Sequence, residues 1–141
     1  LEEARILALD YGEKRIGLAV TDPLNMFAYP LVTINNDSKF WDEFSSIIRD
    51  YKIVKIIMGN PLKESGAFSN VTSPVLKFKE EIEKKFSLPV ELVDERYTSK
   101  IAQQRIMESV SSKKKRKDKS LIDKNAAAIL LEDYLSKMNF K

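Results

Sequence analysis

The chain has 141 residues, with 24 Lys and Arg against 21 Asp and Glu for a net charge of +3. That length suits one domain, here taken as residues 1–141, and 43% hydrophobic with 32% charged residues is the mix of a folded globular protein. Cysteine and histidine are both absent, which excludes disulfides, zinc fingers, thiol nucleophiles and every His-dependent triad, and leaves Asp, Glu, Lys and Tyr for chemistry.

The start, Leu1-Glu2-Glu3, is acidic where a secretory signal needs basic residues. No apolar run approaches the roughly 18 residues of a membrane span. A cytoplasmic protein is expected. Residues 5–11 form an apolar run that holds Asp10 near its end, too short for a helix and suited to a buried strand. A turn over 12–15 leads to a second strand over 16–21, and a third follows over 27–34, with Pro30 marking an edge or a bulge. Strands this close together must pair antiparallel, because parallel pairs need a long crossover.

The rhythm then changes. Phe40, Trp41, Phe44, Ile47 and Ile48 recur at helical spacing within 37–51 and read as core. A strand over 53–58 stops at Gly59-Asn60-Pro61, and a polar loop covers 63–70. A helix over 74–86, a strand over 90–95 and helices over 98–110 and 120–137 complete the chain. Right-handed crossovers make the first, fourth and fifth strands parallel. The expected fold is α/β: a mixed five-stranded sheet with helices on both faces. Ligands in such sheets bind at the carboxyl ends of the parallel strands. That rule gathers Asp10, the loop Gly59-Asn60-Pro61 and the pair Asp94 and Glu95 along one edge.

A carboxylate at Asp10, behind Ile6-Leu7-Ala8-Leu9, is costly to bury unless it is paired or holds a cation. A salt bridge to Lys14 or Arg15, or a turn ahead of Gly12, is the plainer alternative. Gly12 is either a turn glycine or a point where a phosphate or metal comes close to the backbone. Asp94 and Glu95 point to opposite faces of an extended strand, and either could simply pair with Arg96 or Lys100. Asp123 stands three residues after Ser120, ahead of an apolar run, which is also the pattern of a helix capping box. Residues 113–119 hold six basic side chains and one acid, so the remainder of the chain is slightly acidic. This stretch, with Lys113, Lys114, Lys115, Arg116 and Lys117, is either a solvated loop or a contact for a phosphate backbone. Carboxylates from distant segments, with no nitrogen or sulfur ligand to add, suit Mg²⁺ or Mn²⁺ and phosphodiester cleavage.

Several stretches together resemble one family. Residues 7–23, containing Asp10-Tyr11-Gly12-Glu13-Lys14-Arg15-Ile16-Gly17, are similar to the Asp-x-Gly-x-Lys-Arg-Ile-Gly opening of the YqgF (RuvX) family. Met58-Gly59-Asn60-Pro61-Leu62 resembles its Gly-x-Pro loop, and residues 88–98 resemble its Asp-Glu-Arg-x-Thr strand. The basic residues 113–117 with Asp123-Lys124-Asn125-Ala126-Ala127 resemble its basic stretch and last helix. The resemblance spans nearly the whole chain in order. It implies a ribonuclease H-like fold, related to RuvC-type Holliday-junction resolvases, in a cytoplasmic bacterial nuclease that matures the 5′ end of pre-16S ribosomal RNA. It implies Asp10, Glu95 and Asp123 as the catalytic acids, holding one or two ions of Mg²⁺ or Mn²⁺. Lys14, Arg15 and the basic stretch would bind nucleic acid, either a ribosomal RNA precursor or branched DNA. A monomer or a homodimer is compatible, and the alternatives of a junction resolvase or a non-catalytic nucleic-acid-binding module stay open.

Overall fold

The computed structural model describes residues 4–60, 73–94 and 119–139. Its elements are β1 (Arg5–Asp10), β2 (Arg15–Thr21), β3 (Ala28–Asn35), α1 (Phe40–Asp50), β4 (Ile53–Asn60), α2 (Ser73–Phe86), β5 (Val90–Asp94) and α3 (Lys119–Asn139). The helix expected over 98–110 lies outside the described residues, as do the basic residues 113–117, Pro61 and Glu95.

The five strands form one sheet in the order β3-β2-β1-β4-β5. β1 pairs antiparallel with β2 and β2 with β3, while β1–β4 and β4–β5 are parallel. This is the expected mixed topology. β1 is central, and residues 6–10 are buried throughout. Side chains alternate across a strand, and the two faces receive different partners. Leu7, Leu9, Ile16, Leu18, Ile56 and Met58 pack with α1 and α2. Ile6, Ala8, Ala19 and Ile57 pack with Ala127, Ala128, Leu130 and Leu131 of α3.

The α1/α2 face is filled by large aromatic rings. Phe40 stacks on Phe44 at 5.0 Å, Trp41 stacks on Phe78 at 5.1 Å, and Tyr11 tilts against Phe78 at 4.9 Å. Phe40 and Phe44 are fully buried, so the aromatic positions read as core are core. α1 starts at Phe40 and not at residue 37, because Asp37 forms a turn of its own. Its Oδ1 accepts the Lys39 N–H at 2.9 Å, and its carbonyl accepts that of Phe40. β4 runs two residues past its expected end, since Gly59 and Asn60 continue to pair with Val93 and Asp94. Pro30 is both at an edge and at an irregularity: β3 is the outermost strand, and the register with β2 shifts between Leu18 and Ala19, which faces Pro30.

The end of the sheet opposite Asp10 is closed by polar contacts. Thr21, fully buried, accepts the Ile6 N–H on its Oγ1 at 3.0 Å and bonds to the Asn25 side chain. Asn25, in the left-handed region at φ 54°, donates through Nδ2 to the Ala4 carbonyl at 2.8 Å. Lys55 of β4 bonds to the Tyr134 hydroxyl on α3 and to Glu91 at 3.3 Å, and the Tyr134 contact holds its ammonium above the usual lysine range.

The β2–β3 loop is organised by Asp22. Its carboxylate accepts the N–H groups of Phe27 at 2.6 Å, Met26 at 2.8 Å and Leu24 at 3.1 Å. The Phe27 bond, followed by those of Met26 and Leu24, keeps this exposed carboxyl below its ordinary value of 3.8. A depressed carboxylate supports the native state above its unfolded pKa, and that support is lost as the pH falls through the folded value. Asp22→Asn is therefore expected to lower the melting temperature at neutral pH, with the gap to the parent protein closing as the pH drops below 3.8. Thermal melts across pH 2–7 check this, and a gap independent of pH would remove Asp22 from that role.

Candidate functional site

Asp10 is the last residue of β1, at 9% exposure, and its cross-strand partner is Gly17 of β2. Directly opposed residues in an antiparallel pair share a face, and this pair falls on the face that carries α3. Gly17 lies against the helix backbone itself. A Cβ built on Gly17 would stand 2.1 Å from the Asp123 carbonyl oxygen and 2.8 Å from the Lys124 nitrogen, closer than real atoms approach. Only glycine lets α3 come this near to the sheet. Small residues continue the fit, with Ala8 paired to Ala19 and both packed beneath Ala127 and Ala128. The result brings the backbone of Asp123, far away in the chain, against Gly17, the cross-strand partner of Asp10.

Arg15 comes from the same face of β2, two residues before Gly17. Its Nε donates to Asp123 Oδ2 at 3.0 Å, with the two side chains 31% and 23% exposed. Arg15 was a candidate partner for Asp10 or for phosphate, and the contact it makes with Asp123 was not foreseen. The capping-box expectation for Asp123 is corrected: α3 is already helical at Lys119, so Ser120 lies inside the helix, and the Asp123 carboxylate is directed to Arg15. Asn125 bonds within the helix, its Nδ2 donating to the Leu121 carbonyl at 2.7 Å.

The β1–β2 turn frames the edge of this site. A Cβ on Gly12 would stand 2.5 Å from the Arg15 carbonyl oxygen, so the turn itself requires glycine. Asn36, following β3, pins the turn by donating from Nδ2 to the Gly12 carbonyl and from its backbone to the Lys14 carbonyl, both at 2.9 Å. Lys14 is exposed on the turn. On the other side, Gly59 is buried in β4 and pairs with Val93, and Asn60 pairs with Asp94. Glu95 follows directly, outside the described residues. Among the described residues no three acids form a cluster able to hold a metal; Asp10 and Asp123 are the two expected acids that are described.

A cleft of about 560 Å³ lies between β4, β5 and α3, lined by Lys55, Glu91, Val93, Tyr134 and Lys137. Neither Asp10 nor Asp123 lines it. Two features of the site escaped sequence patterning: the close approach at Gly17 and the Arg15–Asp123 pair. A glycine inside an otherwise apolar strand is a recognised sign of close backbone approach and could have revealed the first.

A mixed sheet in this strand order, with an acid at the carboxyl end of its central strand, is the ribonuclease H-like fold. Solved structures share the fold. The Fowlpox virus resolvase in complex with Holliday junction DNA matches with a TM-score of 0.59 at 17% identity, covering 95% of this chain and 98% of that one. RuvC of T. thermophilus with a Holliday junction substrate matches with a TM-score of 0.55 at 13% identity, covering 96% of each chain.

The chain belongs to the RuvX family, whose model, described as Holliday junction resolvase, matches residues 4–137. Relatives agree. A protein of Flavobacterium psychrophilum named "Putative pre-16S rRNA nuclease" is 38% identical over 138 residues, 94% of this chain and 97% of its own length. One of the same name from Christiangramia forsetii is 41% identical over 135 residues, 94% of this chain and 98% of its own.

Gly17→Ala tests the close approach. Forcing a methyl between β2 and α3 is expected to destabilise the fold by about 1–3 kcal/mol, read as a lower urea midpoint. A variant as stable as the parent would mean that the helix does not rest on Gly17.

Proposed function

We propose that this protein is a divalent-metal-dependent endonuclease whose substrate is the precursor of 16S ribosomal RNA. The observation that supports the reading is that the Asp123 backbone rests on Gly17, the cross-strand partner of Asp10 at the end of β1. The names of the relatives support the RNA substrate.

The donor set fits a hard cation. Asp10 and Asp123 offer carboxylate oxygens, and the chain has no histidine or cysteine that would favour zinc. Glu95 is the third acid of the proposal. It follows β5 directly and keeps the sequence parity of Glu91 and Val93, of which Val93 packs toward α3. One or two ions of Mg²⁺ or Mn²⁺ held by these acids would neutralise the phosphate, activate the attacking water and stabilise the leaving oxygen. The protein supplies rigidity. Asp10 is fixed by strands on both sides of β1, and Asp123 by a helix seated on the sheet. Lys14 and Arg15 contact phosphates beside the acids, and Lys113, Lys114, Lys115, Arg116 and Lys117 bind the nucleic-acid backbone further along. Gly12, Gly59, Asn60 and Pro61 form the rim of the site. We assign the whole chain to one domain acting in the cytoplasm, where that RNA is made. Among the described residues no helix is long and apolar enough to cross a membrane.

A second reading, cleavage of Holliday junctions, is favoured by the description of the family and by the two DNA-bound structures. It requires a two-fold dimer to make paired cuts, whereas RNA maturation is compatible with a monomer.

Both readings are tested by offering precursor ribosomal RNA and a four-way DNA junction side by side, with Mg²⁺ or Mn²⁺. Precursor RNA is expected to be cut, and Asp10→Asn to reduce cutting by at least about 100-fold, more than loss of a residue that merely supports a metal ligand. Its circular dichroism should match the parent. Undiminished cleavage by folded Asp10→Asn would refute the mechanism, and cleavage of the junction alone would replace the RNA substrate by DNA.

A further inference from the structure

The proposed ligand Asp123 already has a counter-charge. Arg15 meets its Oδ2 at 3.0 Å through Nε. The backbone of Asp123 rests on Gly17, the cross-strand partner of the other proposed ligand, Asp10. A guanidinium competes with a divalent ion for the same carboxylate, because each neutralises it and each repels the other. Arg15 is also able to leave. Its side chain is 31% exposed, carries a long flexible stem, and the fork of five N–H donors suits a phosphate as well as a carboxylate.

We propose that Arg15 is an exchangeable counter-charge: it holds Asp123 in the metal-free protein and passes to a substrate phosphate when a divalent cation takes that carboxylate. The inference rests on the nuclease reading of the site and adds an order to it. Metal entry frees the arginine, and the freed arginine strengthens nucleic-acid binding. By linkage, bound nucleic acid tightens metal binding to the same degree. Without the ion Arg15 stays with Asp123 and is withheld from phosphate, which weakens the grip on RNA the protein cannot cut.

The test uses the full chain. Calorimetric titration with Mn²⁺ alone is run on the parent, Arg15→Gln, Asp123→Asn, the double variant and Asp10→Asn, each first checked by circular dichroism. Arg15→Gln is expected to bind Mn²⁺ about five-fold more tightly, the scale of one partly exposed ion pair. In the Asp123→Asn background that gain should vanish. A precursor ribosomal RNA fragment, titrated in Ca²⁺ and in EDTA, should show a metal-dependent gain in affinity that is smaller in Arg15→Gln than in the parent.

Unchanged or weaker Mn²⁺ binding by Arg15→Gln overturns the exchange. So does a gain that persists without Asp123, which would be plain repulsion at a distance. Arg15→Met, which keeps the aliphatic stem, must move Mn²⁺ affinity in the same direction, and serves if the glutamine variant is poorly folded. Mn²⁺ binding that survives Asp10→Asn undiminished refutes the nuclease reading itself; binding lost there but indifferent to Arg15 refutes the exchange alone.

Discussion

The contact between the backbone of α3 and Gly17 of β2 is the constraint on which the site depends. An α-helix normally stands off a sheet by the thickness of the side chains between them. Here a missing Cβ lets the Asp123 carbonyl into the space a side chain would occupy. The cross-strand partner of that glycine is Asp10, so the close approach of helix and sheet brings the Asp123 backbone to the strand pair that carries Asp10. Ala8, Ala19, Ala127 and Ala128 continue the interface with small side chains.

The two faces of the sheet divide the labour. One carries the rings of Phe40, Trp41, Phe44 and Phe78, packed on one another and on the aliphatic residues of the strands. The other sets Ala8, Ala19, Ala127 and Ala128 among Ile6, Ile57, Leu130 and Leu131, and α3 is held there by polar contacts toward both ends of the sheet. Arg15 reaches Asp123 at the carboxyl edge, and Lys55 reaches Tyr134 at the far end. A carboxylate on a helix held in this way has little freedom to adjust. Ordering its side chain is met during folding and not during binding, which suits the proposed role of Asp123 as an acid of the site.

Much of the architecture was legible before any coordinate. Strands with a repeat of two and helices with a repeat of 3.6 betray themselves because each buries one face. The antiparallel start and parallel continuation followed from the lengths of the connections. Boundaries were less legible. Asp37 withdraws its residues from α1 by a turn made with its own side chain, and Gly59 and Asn60 stay in β4 only because β5 lies beside them to receive their hydrogen bonds. Ser120 followed by Asp123 had the pattern of a cap, but a helix that is already formed at Lys119 has no use for one there.

The sequence by itself determined the chemistry available and the order of the elements. With no histidine or cysteine, a site here is built from carboxylates and cations, and the strand-end position of Asp10 follows from the apolar run before it. Tertiary structure alone decided which charges meet. Arg15 and Asp123 are 108 residues apart, and nothing local to either foretells the other. Their meeting is set by the depth at which α3 settles, and that depth is a property of the packed interface. A glycine in a strand is, in sequence, only an absence; folding turned the absence at Gly17 into the contact that assembles the site.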